Sequence, residues 1–125
     1  MHFTKITLSK GQLHQVYTHL IESGCLANDT QEQDFYYYFT GEGIEPGVKL
    51  VWLQSKTLLA IYVKELTGKS SRPEWRAVDD IFSGISARTL RDLYSKPFSK
   101  DTSRSFEKFF EDQRSVQKFL ASLSE

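Results

Sequence analysis

The longest strongly apolar stretch of the chain, residues 50–66, combines two spacings of hydrophobic residues. Leu50 to Leu53 form a short run of apolar residues that is typical of a buried strand. Ser55 can then cap a helix, in which apolar residues recur at intervals of three and four. These helical positions are Leu58, Leu59, Tyr62, Val63 and Leu66. Gly68 can adopt a positive φ where this helix ends.

The residues before this stretch predict a short strand and two helices. Apolar and polar residues alternate weakly over residues 3–8, which permits a strand. Ser9 precedes an amphipathic helix that is expected to end at Gly24. Thr30 is the expected cap of the second helix, with Gln33 completing a capping box. A glycine-rich loop follows.

The residues after it predict three more helices. Proline is favoured as a first helical residue, so a helix is expected from Pro73 to Ser83, ended by Gly84. Ser86 caps a short helix that Pro97 closes. A final long amphipathic helix is expected to begin after residues 101–103.

These elements predict a mainly α-helical fold with one or two short β-strands, in a compact winged-helix-like or helix-turn-helix-containing single domain. A chain of 125 residues is of ordinary size for one domain. Ser9-Lys10 and Ser55-Lys56 are each followed by leucines at equal offsets, and each follows a possible strand. This similarity has two interpretations. The chain is built of two strand–cap–helix halves, 1–48 and 49–125, whose strands pair, or two amphipathic helices match by chance.

Charge is balanced overall but is unevenly distributed along the sequence. Sixteen basic residues match sixteen acidic ones, whereas residues 1–48 have a balance of −4 and residues 49–125 a balance of +4. An anionic partner is therefore expected to bind the second half. Cys25 is alone, which favours a reducing compartment, and no apolar run is long enough for a signal peptide core or a membrane span. A cytoplasmic protein without membrane contact is expected.

Residues 78–94 carry the pattern with the most specific function. Gly84 permits a tight turn, Ile85 can fill the joint between two helices, and Ser86 caps the second helix. This order is similar to the turn and recognition helix of helix-turn-helix regulators. Asp80, however, occupies the position one turn before the glycine where such proteins usually have a small alanine. An ordinary corner between two packed helices is the alternative interpretation.

If this segment binds double-stranded DNA, arginines near the start of its second helix are expected to reach guanine edges or phosphates. Basic residues continue beyond that helix and could contact the phosphate backbone. The predicted DNA-binding residues are Ser86, Arg88, Arg91, Lys96, Lys100 and Arg104.

A second motif resembles a known family. Trp52-x-x-Ser55-Lys56-x-x-Leu59 is similar to the W-x-x-S-K-x-x-L segment of RteC-type regulators, which belong to mobile elements of Bacteroides. The resemblance extends over about residues 49–121 and rests mainly on this motif. It implies a winged-helix-like, α-rich domain with a role in transcription regulation and DNA binding.

The aromatic run at residues 35–39 suggests an alternative function. Five consecutive rings cannot all face inward on one helix, so Tyr37 or Tyr38 is expected to be exposed. Such rings suit a protein interface, either with another protein or in a homodimer. Core packing of most of these rings is the other interpretation.

Catalytic and metal-binding patterns are weak. His14 and His19 are five residues apart and do not share a helix face. Asp79 and Asp80 are adjacent and diverge on a helix, which does not suit paired acid–base chemistry. We expect a non-enzymatic protein with no cofactor, no metal and no small-molecule substrate.

Overall fold

The computed structural model describes residues 1–68, 72–98 and 106–124. Within these ranges the chain forms six α-helices, which confirms the prediction of a mainly helical fold. Their bounds are α1 Lys10–Glu22, α2 Glu32–Thr40, α3 Lys56–Thr67, α4 Val78–Ile81, α5 Ala87–Ser95 and α6 Glu107–Ala121. Short 3-10 turns at Trp75–Ala77 and Lys96–Phe98 precede α4 and follow α5.

Three predicted serine caps are confirmed. The side chains of Ser9, Ser55 and Ser86 each accept a hydrogen bond from the backbone N–H three residues later, at the starts of α1, α3 and α5. Gln12 completes a capping box at α1 by accepting from the backbone N–H of Ser9. These caps satisfy donors that the first turn of a helix leaves unpaired.

Thr30 is not the cap of α2. Its N–H donates to the carbonyl oxygen of Ala27 at 3.0 Å, and its own carbonyl oxygen accepts from the Tyr17 hydroxyl at 2.5 Å. Thr30 therefore belongs to the preceding turn, and Gln31 occupies the cap position without a side-chain hydrogen bond. The helix itself was correctly predicted.

The predicted strands require correction, because the described residues contain only isolated β-bridges. Residues 3–8 form no bridge, whereas residues 50–53 are extended and form two. Leu26 pairs antiparallel with Trp52, and Leu50 pairs parallel with Phe82. The two Ser-Lys segments thus begin similar helices, but the segments that precede them do not pair with each other.

The helix predicted from Pro73 to Ser83 is shorter than expected. Phe82 leaves α4 with an extended backbone at ψ 133°, and the N–H of Ser83 donates to the carbonyl oxygen of Leu50 at 2.8 Å. Pairing with a distant segment therefore ends this helix before Gly84. The predicted caps of the last helix, residues 101–103, lie outside the described residues.

Helix α3 is the centre of the core and packs against both α5 and α6. Ala60 and Ile61 have no exposed surface, and the helix is buried on nearly every side. The buried carboxylate of Glu65 accepts a hydrogen bond from Gln117 of α6 at 3.2 Å and lies 3.5 Å from the Lys64 ammonium. Burial of most of its surface explains why this helix is so apolar in the sequence.

Gly68 ends α3 by close packing rather than by a positive φ. Its φ is −110°, so the predicted left-handed conformation is wrong. A Cβ atom here would lie 2.9 Å from both the Lys64 carbonyl oxygen and Pro73 Cγ. Glycine is favoured here because Pro73 packs against the end of the helix and leaves no space for a Cβ atom.

Candidate nucleic-acid interface

The segment from Val78 to Ser95, here called the α4–α5 corner, has the turn that the sequence predicted. Gly84 adopts φ +70°, a conformation that is strained for residues with a side chain. Ile85 is 8% exposed and Leu90 is fully buried, so both hold α5 against the core. The remaining faces of α5 are available to solvent.

Two oxygen atoms cap the first turn of α5. Ser86 Oγ accepts from the N–H of Thr89 at 3.1 Å and lies 2.8 Å from the Thr89 hydroxyl. Asp79 Oδ1 accepts from the N–H of Ala87 at 2.5 Å. Asp79 is exposed, and its charge is favourable beside the positive end of a helix. The hydroxyl of Ser86, one of the predicted DNA-binding residues, is therefore already used in the cap.

Arg88 and Arg91 are exposed on α5, as expected of residues that could reach a ligand. Their side chains are 84% and 60% exposed, and each has its Nε atom 4.0 Å from a carboxylate oxygen of Asp92. Exposed ion pairs at this distance are weak, so the arginines remain free to exchange partners. Lys96 is exposed in the following 3-10 turn, whereas Lys100 and Arg104 lie outside the described residues.

A groove of about 890 Å³ lies beside the start of α5. Arg91 lines it together with Lys5, Arg72 and Arg76, and the Trp75 side chain forms part of the same surface. Arg91 thus belongs both to the exposed face of α5 and to this groove, which we call the basic groove. Its other residues come from distant parts of the chain and were therefore not predicted from the sequence.

The Glu74 carboxylate holds the walls of the basic groove together. Oε1 accepts from the backbone N–H groups of Thr4 at 2.7 Å and Lys5 at 2.5 Å, and Oε2 accepts from the Thr4 hydroxyl at 2.8 Å. Lys5 Nζ in turn donates to the Arg72 carbonyl oxygen at 2.7 Å. Nothing in the local sequence around residues 4–5 or 72–74 reveals these contacts, since they span about seventy positions.

The aromatic run contributes less exposed surface than predicted. Tyr38 is 4% exposed and donates its hydroxyl proton to the Val48 carbonyl oxygen at 2.8 Å, so it offers no ring to a partner. Tyr37 is partly buried, with its hydroxyl 3.3 Å from Glu45. Tyr36 donates to Glu42 at 3.0 Å, and this hydrogen bond raises the pKa of its phenol.

Apolar side chains are exposed in the segment that follows this run. Ile44 is 91% exposed and Val48 66%, while Val51 and Leu53 are 44% and 57% exposed on the outer face of segment 50–53. Large aliphatic side chains in contact with water indicate either a partner or a cost in solubility. The sequence pointed to the neighbouring tyrosines and not to these aliphatic residues.

Cys25 is a buried thiol in a polar setting. It is 3% exposed, and burial raises its pKa, with a partly opposing hydrogen bond from the Ser23 hydroxyl at 3.3 Å. His19, Tyr62 and Asp112 line the same small pocket of about 340 Å³. A thiol with a raised pKa is a poor nucleophile. Among the residues that the structure covers, no group of three or more His, Cys, Asp or Glu is placed to hold a metal ion.

Comparisons with protein-family models, with curated proteins and with solved structures gave no match. In the described part of the chain, no helix has both the length and the apolar character needed to cross a bilayer.

Proposed function

We propose that the chain is a non-enzymatic DNA-binding accessory protein that uses the α4–α5 corner as a helix-turn-helix-like unit. One observation carries this proposal: Arg91 lies on the exposed face of α5 and also lines the basic groove with Arg72 and Arg76. Cations from separate segments therefore adjoin one exposed helix. A duplex offers base edges to such a helix and phosphates to such flanking cations.

The roles of the residues follow from exposure and partners. Arg88 and Arg91 contact base edges or phosphates, Lys96 contacts the backbone, and Ser86 contributes by holding the start of α5. Asp79 and Asp92 lie beside these arginines and reduce the net attraction for phosphate. We therefore expect weak to moderate affinity that falls steeply with salt.

Under this proposal, the protein is a cytoplasmic regulator of transcription with a winged-helix-like architecture. It is related to RteC-type proteins of Bacteroides mobile elements. The W-x-x-S-K-x-x-L motif supports this relationship. Trp52 donates a hydrogen bond to Ser55, and Ser55 caps α3, so the spacing has a structural reason in this chain.

Fluorescence anisotropy with duplex DNA at several salt concentrations tests the function. Arg88→Ala with Arg91→Ala is expected to weaken binding and to reduce the slope of log affinity against log salt by about 2 if both contact phosphate. Arg114→Ala with Lys118→Ala removes the same charge from an exposed surface of α6 outside the basic groove. Equal affinity and slope in the two double variants would refute the assignment of α5.

A second function is favoured by the exposed aliphatic residues: self-association through Ile44, Val48, Val51 and Leu53. A formal net charge of zero at pH 7 does not oppose contact between two copies. Light scattering of the wild type over a range of concentrations tests it, with Ile44→Ser and Val48→Ser as the variant. A dimer that the variant abolishes supports this function, and a monomer throughout excludes it.

A further inference from the structure

The basic groove has the dimensions and the lining of a small-molecule site. Its volume of about 890 Å³ falls within the range of pockets that hold drug-sized ligands. Pro73, Trp75, Ala77 and Ala87 supply apolar surface, and the charged groups converge around it. Five of its twelve lining residues are charged, so the groove combines an apolar wall with charged groups that can orient a ligand.

The arginines of the groove are weakly engaged. The side chains of Arg72 and Arg76 are exposed and make no hydrogen bond or ion pair with any residue that the structure describes. Arg91 has only the long contact with Asp92. Guanidinium groups without partners can bind carboxylate or phosphate oxygens by paired, charge-assisted hydrogen bonds.

The one carboxylate that lines the groove does not compete for these cations. Glu74 accepts three hydrogen bonds from Thr4 and Lys5, so both of its oxygen atoms are engaged on the wall. Asp79, Asp80 and Asp92 do not line the groove. Asp79 accepts from the N–H of Ala87, Asp80 lies 3.9 Å from the Met1 amino group, and Asp92 lies 4.0 Å from Arg91. The lining therefore favours an anion.

The aromatic ring of the groove defines the rest of the ligand. Trp75 is only partly buried, and its ring packs at one side against Tyr94, with centroids 6.1 Å apart. Trp75 lines the groove, and so does Arg76, the next residue in the sequence. A planar ring can stack on the indole while an attached anionic group reaches the guanidinium groups.

We propose that the basic groove binds a small aromatic anion, a planar ring that carries a phosphate or a carboxylate. The ring lies against Trp75, and the anionic group binds Arg72 and Arg76 with Arg91. This site is additional to the proposed function and does not require that the chain binds DNA. Arg88 separates the two, because it lies on α5 and does not line the groove.

Titration of the ¹⁵N-labelled protein, followed by NMR in the absence of DNA, tests the proposal. The probes are adenosine monophosphate and 2-naphthoate, which carry ring and anion together, with adenosine and inorganic phosphate as the separate halves. The chain has two indole N–H signals, and that of Trp52, which is bonded to Ser55 in the core, is the internal reference. We expect saturable shifts of Trp75 with at least one ring-bearing anion and much weaker effects of either half.

Arginine variants test whether the probe binds in the basic groove. Arg72→Ala with Arg76→Ala is expected to weaken the binding of the effective probe by about tenfold or more, since charge-assisted hydrogen bonds are lost. Arg114→Ala with Lys118→Ala and Arg88→Ala are expected to leave it unchanged. The proposal is overturned if phosphate or adenosine alone binds as well as the ring-bearing anion. It is also overturned if no probe shifts the Trp75 signal at millimolar concentration. Failure of DNA binding in the Arg88 variants does not affect this result.

Discussion

The indole nitrogen of Trp52 donates a hydrogen bond to the carbonyl oxygen of Ser55 at 2.9 Å, directly before α3 begins. The Ser55 side chain in turn accepts from the N–H of Leu58. Trp52 thereby fixes the residue that caps the central helix, while its ring contacts Tyr62 and Phe82 edge to face. The spacing between the tryptophan and the serine is thus a requirement of the fold rather than evidence of a ligand.

We expect Trp52→Phe to lower the free energy of unfolding by about 1–3 kcal/mol, because a hydrogen bond and buried ring volume are both lost. Urea denaturation followed by circular dichroism measures the change. Trp75→Phe is the matched control, since Trp75 is partly exposed and is expected to cost less. Equal costs for the two substitutions would contradict the role assigned to Trp52.

Ser86→Ala is expected to destabilise the protein by about 1 kcal/mol through loss of the α5 cap. Ser86→Asn keeps a side-chain oxygen at this position and is expected to recover most of that loss. Thermal unfolding of the three proteins measures the order. If Ser86→Asn is as unstable as Ser86→Ala, the serine has a role other than capping.

Asp79→Asn is expected to have opposite effects on folding stability and on DNA binding. Its amide oxygen can still accept from the N–H of Ala87, but the negative charge at the start of α5 is removed, at a cost of about 0.3–1 kcal/mol. Under the proposed function, the same change strengthens binding to duplex DNA, because a repulsive charge beside Arg88 and Arg91 is lost. Denaturation and anisotropy together measure the opposed effects, and a loss in both would show that Asp79 is required for the shape of the corner.

Gly68→Ala is expected to be destabilising by about 1–3 kcal/mol, because the new Cβ would contact backbone and proline atoms at 2.9 Å. Gly47 is the matched control, since a Cβ there has no atom within 4 Å and its φ is not in the left-handed region. Gly47→Ala is expected to be neutral or slightly stabilising. Similar behaviour of the two alanine variants in urea denaturation would exclude the packing explanation.

The raised pKa of Tyr62 leads us to expect a loss of stability at high pH. Burial, with smaller contributions from Cys25 and Asp112, raises the pKa of its phenol from 10.0 to about 12. The folded state keeps the proton longer than the unfolded state, so this contribution is complete below pH 10 and is lost as the pH rises through about 12.

The slope from this one group is at most about 1.4 kcal/mol per pH unit. Tyr62→Phe is expected to reduce the alkaline slope of stability while changing stability little at neutral pH, since the hydroxyl has no hydrogen-bond partner within the described chain. Denaturation between pH 8.5 and 11.5, with absorbance of tyrosinate as a second signal, measures this difference. An unchanged alkaline slope would show that Tyr62 ionises as freely when folded as when unfolded.

Elements that depend on neighbouring residues were predictable from the sequence. The caps at Ser9, Ser55 and Ser86, and the buried face of α3, follow from side chains within one or two turns. The turn at Gly84 was predictable for the same reason, since only its own backbone conformation is involved.

Elements that depend on distant residues were not predictable. Phe82 is extended rather than helical because its neighbours bond to Leu50, and the basic groove exists because Glu74 holds residues 4–5. Neither contact leaves a periodic pattern in the sequence. Tyr38 was misjudged because its carbonyl partner, Val48, lies in a loop whose path was unknown.

The extended segment 50–53 is bonded on both sides, to residues 25–27 and to residues 81–83. Neither of the halves 1–48 and 49–125 contains all of these partners, so a chain cut between them would leave backbone groups of each without their acceptors or donors. We therefore expect the amide hydrogens of Leu50 and Leu53 to exchange with solvent only when the whole structure opens. Two of these four hydrogen bonds, from Ala27 to Val51 and from Leu53 to Cys25, join the two halves, and the other two fix the same segment to residues 81–83, so the halves form one cooperative folding unit.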